Sequence, residues 1–321
     1  MSSIVEKVDQ TTIYIQPIHF ILSILTNILN IYVLSDRTFR LSPCTYYFLV
    51  YSIASILYSC ILCPIQILRR FSILWINTPV GCKLQPYLPF VLPFLANLML
   101  ILASFDRFCS SSSSIRLRSM SNIQRARISI IIGIFFSVIF MSPMLYIYYY
   151  ESNLNICFQH FHSIIDIYIF SQIIIYYVIF PLLMSIFGLL TVLNIRQQLQ
   201  RVGQRNVQRS NRQTEGQLAR MLSLQICIHL IVSLPFGIVY TMNSFIPSTR
   251  TTLILGIRLI FVSWQQCDYF LPFFLYTLSS NIYRAKLFQL FRLKRSNNIV
   301  TQTNRQFPSQ DTRQPHSHLN K

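Results

Sequence analysis

Long apolar stretches alternate with short polar ones along the chain. A helix needs about 20 apolar residues to cross the hydrocarbon core of a bilayer. Seven stretches reach about that length, and each predicts a membrane-spanning helix. In chain order, as spans 1 to 7, they are residues 17–35, 45–68, 84–105, 128–149, 165–194, 221–245 and 253–278.

Composition supports lipid as the solvent for most of these residues. The chain has 321 residues, of which 53% are hydrophobic and only 11% are charged. Soluble domains carry about 25% charged residues. We therefore predict an all-α membrane protein, a seven-transmembrane helix bundle.

The basic residues predict the orientation of this bundle. Most of the 27 lysines and arginines lie in the segments that follow spans 1, 3, 5 and 7. Because these residues concentrate on the cytoplasmic side of membrane proteins, we predict a multi-pass plasma-membrane protein with its N-terminus outside and its C-terminus in the cytoplasm. The net charge of +18 then indicates contact with anionic membrane lipids rather than with nucleic acid.

The two ends of the chain differ in kind. Residues 1–16 are predicted to form an extracellular N-terminus without a cleaved signal peptide, 17–292 the transmembrane domain, and the polar segment 293–321 a disordered cytoplasmic tail. The stretch NIYRAKLFQLF after span 7 places Tyr283 and Leu287 on one helical face. It predicts a short amphipathic eighth helix in the membrane surface, with a frayed continuation of span 7 as the alternative.

Two of the eight cysteines are predicted to lie outside the cell. Cys82 is at the outer end of span 3 and Cys157 is in the loop between spans 4 and 5, whereas the other six fall in spans or in the cytoplasm. Because the outside is oxidising, we expect these two thiols to pair, the alternative being two free thiols. A bridge closing a loop of this length contributes about 4 kcal/mol in the chain-entropy model.

An acid and a base end the apolar run of span 3, in the sequence Asp106-Arg107-Phe108. With seven spans, an outside N-terminus and a bridge from span 3 to the loop before span 5, this sequence resembles the Asp-Arg-Tyr motif of rhodopsin-like G-protein-coupled receptors. Within that family the chain looks most like peptide receptors, especially those of the FMRFamide type. Further family positions are matched by Asn27, Trp75, Pro181, Pro235 and Tyr276.

Other positions depart from the family pattern. The family's sodium-binding acid in span 2, its tryptophans in spans 4 and 6 and its activating tyrosine in span 5 are absent, and Pro272-Phe273 replaces the Asn-Pro pair of span 7. We therefore expect altered gating without a sodium pocket or a tryptophan toggle. The other four substitutes are, in the same order, Ser55, Gly133, Ser233 and Leu189.

The resemblance implies a switch at Arg107, together with Phe108 and Tyr276. An unpaired guanidinium at the edge of a bilayer is costly, and its expected partners are Asp106 and Glu215. Glu215 precedes the proline of span 6 by about 30 Å of helix, which places it at the cytoplasmic edge. In the resting state both acids hold Arg107, and movement of span 6 frees it to contact a heterotrimeric G protein. The alternative for Asp106-Arg107 is a pair that only marks the membrane boundary. The alternative for Glu215 is a solvated acid in a loop.

The outer ends of the spans carry the expected ligand site. Span 3 has no acid in its outer half, so an amine ligand is not expected, and span 7 has no lysine for a retinal Schiff base. Acids at the mouth favour a basic peptide, although aromatic residues there are also ordinary interface anchors. The candidate contacts are Tyr87, Phe90, Glu151, Asp166, Tyr240 and Gln265.

A transporter is the main alternative function, followed by a non-signalling seven-helix membrane protein. Transporters often show internal repeats and buried acids for coupling ions, but the sequence shows no repeat, and only Asp268 lies deep in a span. The spans contain no paired carboxylates and no nucleophile with a base, so no enzyme and no cofactor are predicted. Cys157, His160 and His162 have a loose zinc-like spacing without a fourth ligand, so no metal site is predicted either.

Overall fold

The computed structural model is a bundle of helices that follow the predicted spans. It describes residues 3–71, 75–160, 163–201, 209–249 and 251–290, so the predicted disordered tail, 293–321, lies outside the described residues. In chain order the helices are α1 (Ser3–Leu34), α2 (Arg37–Arg40), α3 (Pro43–Arg70), α4 (Pro79–Ser111), α5 (Ile115–Met120), α6 (Ile123–Met141), α7 (Pro143–Ile147), α8 (Ser163–Ile174), α9 (Phe180–Arg201), α10 (Arg209–Phe245), α11 (Thr252–Gln266), α12 (Leu271–Ser279) and α13 (281–290).

Spans 1 to 6 are long helical segments, but span 7 is divided. Within the described residues, six helical segments are long and apolar enough to cross a membrane, and they coincide with spans 1 to 6. Span 7 consists of α11 and α12, with a 3-10 turn at Cys267–Tyr269 between them. Pro272 lies in the first turn of α12 and has no N–H to continue the α11 hydrogen-bond ladder. The prediction of one continuous run over 253–278 is therefore corrected to two helices.

Helix α1 begins much earlier than the hydropathy of span 1 predicts. It starts at Ser3, not near residue 17, so the segment assigned to the extracellular N-terminus continues the helix of span 1. Thr11 and Thr12 donate side-chain hydrogen bonds at 2.8 Å to carbonyls one turn back, which lets polar residues remain helical. Hydropathy alone cannot detect this extension, because charged and polar residues interrupt its apolar ones in the sequence SIVEKVDQTTIYIQ.

Helix α4 is the central element of the bundle. It packs against α3, α6 and α9, and its side chains Phe94, Met99 and Leu100 are completely buried. Helix α6, by contrast, exposes large apolar side chains, since Phe135 and Ile139 are 64% and 66% exposed. Lipid tails are as apolar as leucine, so such side chains are solvated by the bilayer.

Span 5 contains one widened turn at its proline. A π-helical segment at Ile175–Ile179 separates α8 from α9, immediately before Pro181. Proline donates no N–H and clashes with the carbonyl four residues earlier, and a π turn accommodates both constraints. The family proline of span 5 therefore coincides with a local irregularity of the backbone.

A β-hairpin and a disulfide cover one end of the bundle. Strands β1 (Tyr148–Glu151) and β2 (Ile156–Gln159) pair antiparallel. Cys157 of β2 is bonded to Cys82 in the first turn of α4, with a Cα–Cα distance of 5.4 Å, so the predicted pairing is confirmed. Nζ of Lys83 donates to the carbonyls of Leu145 and Tyr148 at 2.8 and 2.5 Å, which holds the hairpin to α4 a second time. We call this the disulfide end.

Trp75 begins the 3-10 turn that leads into α4. The turn comprises Trp75–Asn77, and the side chain of Thr78 then caps α4 by accepting from the N–H of Gly81 at 3.0 Å. A Cβ at residue 81 would lie 1.9 Å from the carbonyl oxygen of Trp75. Glycine is therefore required for the loop to approach α4 this closely.

Helix α13 confirms the predicted eighth helix. Ser280 adopts an extended backbone, with φ −121° and ψ 116°, so α13 is separate from α12 rather than its frayed end. Tyr283 and Leu287 are buried, as the amphipathic pattern predicts, while Phe288 on the other face is exposed. The hydroxyl of Tyr283 donates to Oδ1 of Asn30 at 2.6 Å, which docks α13 on span 1.

Candidate functional site

A cavity of about 420 Å³ lies among the spans at the disulfide end. Gln85, one helical turn beyond Cys82, is part of its lining. The volume is in the range of small-molecule binding sites. Helix α1 and spans 2 to 7 contribute to the lining, through residues such as Thr12, Gln66, Phe90, Met141, Gln172, Tyr240 and Arg258.

Three of the six predicted ligand contacts lie in this lining. They are Phe90, Tyr240 and Gln265. The hydroxyl of Tyr87 instead donates to the carbonyl of Val138 on α6 at 3.2 Å. The other two, Glu151 and Asp166, lie respectively in strand β1 and in the exposed first turn of α8, and neither is among the lining residues.

Aromatic rings form one wall of the cavity. The ring of Tyr240 lies 5.7 Å from Phe236, 6.3 Å from Phe90 and 6.4 Å from Tyr177, measured between centroids. A Cβ at Gly237 would lie 2.4 Å from the ring of Tyr177, so glycine allows spans 5 and 6 to approach beside the cavity. The wall links spans 3, 5 and 6.

The polar part of the lining contains amides and one charge. Four glutamines face the cavity, namely Gln66, Gln85, Gln172 and Gln265. Arg258 is the charged residue of the lining, and its guanidinium carbon lies 5.2 Å from the centre of the Tyr240 ring. The sequence alone did not indicate a role for Arg258, because the face of α11 that meets the cavity is set by packing.

A histidine–aspartate pair lies in the core. Nδ1 of His229 on span 6 is 2.7 Å from Oδ2 of Asp268 in the 3-10 turn of span 7, with the two side chains 2% and 4% exposed. The sequence placed Asp268 deep in a span but gave no signal for His229. Ser55, where the family has an acid, donates its hydroxyl to the carbonyl of Tyr51. Span 7 therefore carries a buried acid, Asp268, whereas span 2 has Ser55 at the position of the family's acid.

The broken backbone of span 7 is satisfied by side chains of spans 1 and 2. Nδ2 of Asn27 donates to the carbonyl of Tyr269 at 2.7 Å, and the hydroxyl of Tyr51 donates to the carbonyl of Asp268 at 2.9 Å. Unpaired backbone groups are costly inside a membrane, so these bonds allow a 3-10 turn at this depth. This gives Asn27, a family position, a structural role.

Asp106 and Arg107 lie together at the opposite end of α4, which we call the Arg107 end. Nη2 of Arg107 is 2.6 Å from Oδ2 of Asp106 and 3.0 Å from the hydroxyl of Ser42, and the arginine is 2% exposed. Oδ1 of Asp106 accepts a hydrogen bond from Ser121 at 2.7 Å. The predicted Asp106–Arg107 contact is present, and Ser121 joins it to the loop after span 3.

The second predicted partner of Arg107 is Glu215, for which the structure gives no test. Glu215 belongs to α10, but its side chain lies outside the described part of the structure. Phe108 is partly buried, and its ring is 5.9 Å from that of Phe187 on span 5. The Arg107–Glu215 contact therefore stays a prediction.

Hydrogen bonds tie span 6 to span 7 at the Arg107 end. The buried hydroxyl of Tyr276 donates to Oε1 of Gln225. Oε1 of Gln217, two turns earlier on α10, accepts from the hydroxyl of Ser280 at 2.6 Å and from the N–H of Ile282 at 3.1 Å. Both glutamines were missed in the sequence, where nothing distinguishes them from ordinary polar residues of a helix.

The remaining motif positions lie within the bundle. Gly133 allows α6 to approach α4, because a Cβ there would lie 2.8 Å from Cε of Met99. Ser233 is buried, whereas Leu189 is 65% exposed. Of the loosely zinc-like residues, Cys157 is in the disulfide, the His160 ring stacks on Tyr149 at 4.2 Å, and residue 162 lies outside the described residues.

The comparison with known families agrees with this arrangement. The model of the seven-transmembrane receptors of the rhodopsin family matches residues 26–267, which is more than half of the chain. The match runs from span 1 to the first residue of the 3-10 turn in span 7. No curated protein matches the chain. The chain therefore belongs to the rhodopsin family of seven-transmembrane receptors.

Proposed function

We propose that this receptor binds an extracellular ligand in the cavity and activates a heterotrimeric G protein from the Arg107 end. The observation that supports this is that two helices each reach both places. Helix α4 carries Phe90 in the cavity and Arg107 in the buried pair. Helix α10 carries Tyr240 in the cavity and Gln225 in the tie to span 7. At 1.5 Å per residue, Phe90 and Arg107 are about 26 Å apart along α4.

The same proposal places the receptor in the plasma membrane with the disulfide end outside. The basic segments after spans 1, 3, 5 and 7 then face the cytoplasm and its anionic lipids. Residues 1–16 are extracellular and 293–321 form the cytoplasmic tail. Epitope tags at residues 2 and 321 test this orientation, because they should be labelled from opposite sides of the membrane.

We propose a neuropeptide as the ligand, in keeping with the sequence resemblance to FMRFamide-type receptors. Phe90, Tyr240 and Gln265 offer aromatic and amide contacts in the cavity. Glu151 and Asp166 attract the basic part of such a peptide outside the cavity, and Tyr87 stays a candidate contact. Neutralising either acid should weaken peptide binding more at low salt than at high salt.

At the Arg107 end, the proposed switch comprises Asp106, Arg107, Phe108, Glu215 and Tyr276. In the resting state α10 is tied to span 7 and Arg107 is held by its acid partners. Ligand binding against Tyr240 displaces α10, and the released Arg107 contacts the G protein. Because the same helices join the two ends, the ligand and the G protein both act on one equilibrium between resting and active conformations.

Nucleotide exchange tests this function directly. The receptor in lipid nanodiscs should accelerate guanine-nucleotide exchange on at least one class of heterotrimeric G protein, and Arg107→Ala should abolish that acceleration. Arg127→Ala, which removes another arginine near the Arg107 end, is the matched control and should retain it. If no class responds and Arg107→Ala is indistinguishable from wild type, the transporter or non-signalling alternative is favoured.

A further inference from the structure

We propose that the cavity binds its ligand through a carboxylate, which the guanidinium of Arg258 receives. This inference rests on the proposed function, because it takes the cavity as the ligand site. It goes further by assigning a charge to the ligand and by naming the side chain that recognises it.

Arg258 lies on the face of α11 that is turned toward the cavity. Leu255, Leu259 and Val262 line the cavity at the helical spacing that Arg258 shares. On another face of the same helix Ile260 is 51% exposed, as expected for contact with lipid. An arginine within a membrane span is costly and is found facing the bundle interior when it has a function. Its position therefore indicates a role in the cavity.

Within the described part of the chain, no acid balances the charge of Arg258. Among the described residues Arg258 forms no ion pair, and no aspartate or glutamate is part of the cavity lining. Its contact with the Tyr240 ring, at 5.2 Å, is a cation–π interaction, which replaces only part of the hydration that a guanidinium loses. An anionic group on the ligand supplies the missing counter-charge for Arg258.

A carboxylate matches this site better than other charged groups. Its single negative charge equals that of one guanidinium, and its two oxygens fit the planar fork. A phosphate carries nearly two negative charges, and the described lining offers no second cation. A ligand amine would be repelled by Arg258 and would find no acid in the lining.

The rest of the lining indicates what the carboxylate is attached to. Tyr240, Phe236 and Phe90 favour an aromatic or aliphatic body. Oε1 of Gln85 is buried and has no hydrogen-bond partner among the described residues, so it is available to an N–H of the ligand. A peptide supplies both features, with its free carboxyl terminus or an acidic side chain on Arg258. An aromatic organic acid supplies the same carboxylate, and the experiment separates these sources.

Paired probes test the proposal on the purified receptor. The first set contains short aromatic peptides whose carboxyl groups, at the C-terminus and on an acidic side chain, are either all free or all converted to amides. The second set contains aromatic carboxylic acids and their primary amides. At millimolar concentrations the free acids should raise the melting temperature of the wild type and their amides should not. A response to the peptide acids alone assigns the carboxylate to a peptide, and a response to the small acids alone assigns it to an organic acid.

Substitutions assign the effect to Arg258. Arg258→Gln should weaken the binding of the free acids at least about tenfold, because a charge-assisted hydrogen bond is lost. Arg258→Lys, which retains the charge, should bind the free acids with an affinity between those of the wild type and Arg258→Gln. The matched control is Arg127→Gln, since Arg127 also lies over a tyrosine ring, that of Tyr46 at 5.4 Å, but outside the cavity lining. It should bind the free acids like the wild type.

Each remaining outcome contradicts the carboxylate proposal. It is overturned if no free acid stabilises the wild type, if amides bind as well as acids, or if Arg258→Gln and Arg258→Lys both retain full affinity. The last result would mean that Arg258 extends its charge to the membrane surface. None of these results depends on a G protein, so the receptor can fail this test and still accelerate nucleotide exchange.

Discussion

His229 and Asp268 join spans 6 and 7 in the core, with 2.7 Å between Nδ1 and Oδ2. Asp268 belongs to the 3-10 turn that divides span 7, and its own carbonyl is held by Tyr51 of span 2. The pair is therefore attached to the part of span 7 whose backbone depends most on its neighbours. Movement of span 6 relative to span 7 must either carry this pair along or break it.

The first prediction concerns the stability that this pair provides. Asp268→Asn should destabilise the receptor by about 1–3 kcal/mol, because it weakens a buried hydrogen bond to Nδ1 of His229. The double variant Asp268→Leu/His229→Leu should lose less than the two single leucine substitutions together, because neither polar partner is then left buried without the other. Thermal unfolding in detergent, followed with a thiol-reactive dye at the buried Cys44 and Cys63, measures both effects.

The control for this prediction is Asp166→Asn, which alters an exposed acid at the start of α8. It should leave the melting temperature unchanged. Equal melting temperatures for wild type, Asp268→Asn and the double variant would mean that the pair contributes nothing measurable to stability.

The spans and the Cys82–Cys157 bridge were predictable because each depends on residue type and order along the chain. The division of span 7 was not, since Pro272 alone does not show where the freed carbonyls find donors. Those donors, Asn27 and Tyr51, are 242 and 217 residues away in sequence from the carbonyls they satisfy.

The candidate site divides in the same way. Phe90, Tyr240 and Gln265 were found because an outer position on an apolar helix is readable from the sequence. The role of Arg258 depends on which face of α11 meets the cavity, and that is set by packing. Likewise, the role of His229 can be recognised only in the folded protein, where Asp268 lies beside it.

The second prediction concerns the disulfide end. Cys82→Ser should lower surface expression, because it removes the bridge to Cys157. By closing a long loop, that bridge contributes about 4 kcal/mol to stability in the chain-entropy model. Cys60→Ser, which changes an exposed free cysteine of span 2, should express like the wild type. Peptide mapping without reductant should recover Cys82 and Cys157 as one linked pair. Recovery of both as free alkylated thiols from folded receptor would refute the bridge.

The third prediction concerns the docking of α13 by charge. Asp36 accepts hydrogen bonds from the N–H of Thr38 at 2.9 Å and from Nζ of Lys286 at 3.1 Å. Burial alone raises the pKa of Asp36, but these hydrogen bonds and the Lys286 charge outweigh it, so the pKa lies below its ordinary value of 3.8. A carboxyl with a lowered pKa stabilises the folded arrangement at higher pH and loses that effect as the pH falls through the lowered value.

We therefore expect α13 to stay docked from neutral pH down to about pH 4 and to loosen below it. A fluorophore at the exposed position 288 reports the docking. The side chains of Lys286 and Asp36 are 29% and 33% exposed, so the effect should be under about 1 kcal/mol and should weaken with salt. Asp36→Asn should remove this pH step. A step of the same size in that variant would assign it to another group.

The fourth prediction concerns the tie between spans 6 and 7. Tyr276→Phe leaves the buried Oε1 of Gln225 without its donor, which costs about 1–3 kcal/mol in the arrangement seen here. Ligand-free signalling should therefore rise at least about fivefold at matched surface expression. Tyr283→Phe is the matched control, because it removes a buried hydroxyl that binds Asn30 and not α10. Equal increases in both variants would show that the effect is general loosening.

The last prediction concerns Arg107 and its two acids. Arg107→Ala should abolish G-protein coupling while ligand binding stays largely intact, because the arginine is far from the cavity along α4. Glu215→Ala should instead raise ligand-free signalling, since it removes a contact proposed for the resting state alone. A partly solvated ion pair contributes about 1 kcal/mol, so the rise should be about fivefold. Asp106→Asn should act in the same direction, whereas Glu215→Asp, which keeps the charge, should stay near wild type. If Glu215→Ala leaves ligand-free signalling unchanged while Arg107→Ala still abolishes coupling, the contact between Arg107 and Glu215 is wrong, and Asp106 with Ser121 is the hold on the arginine.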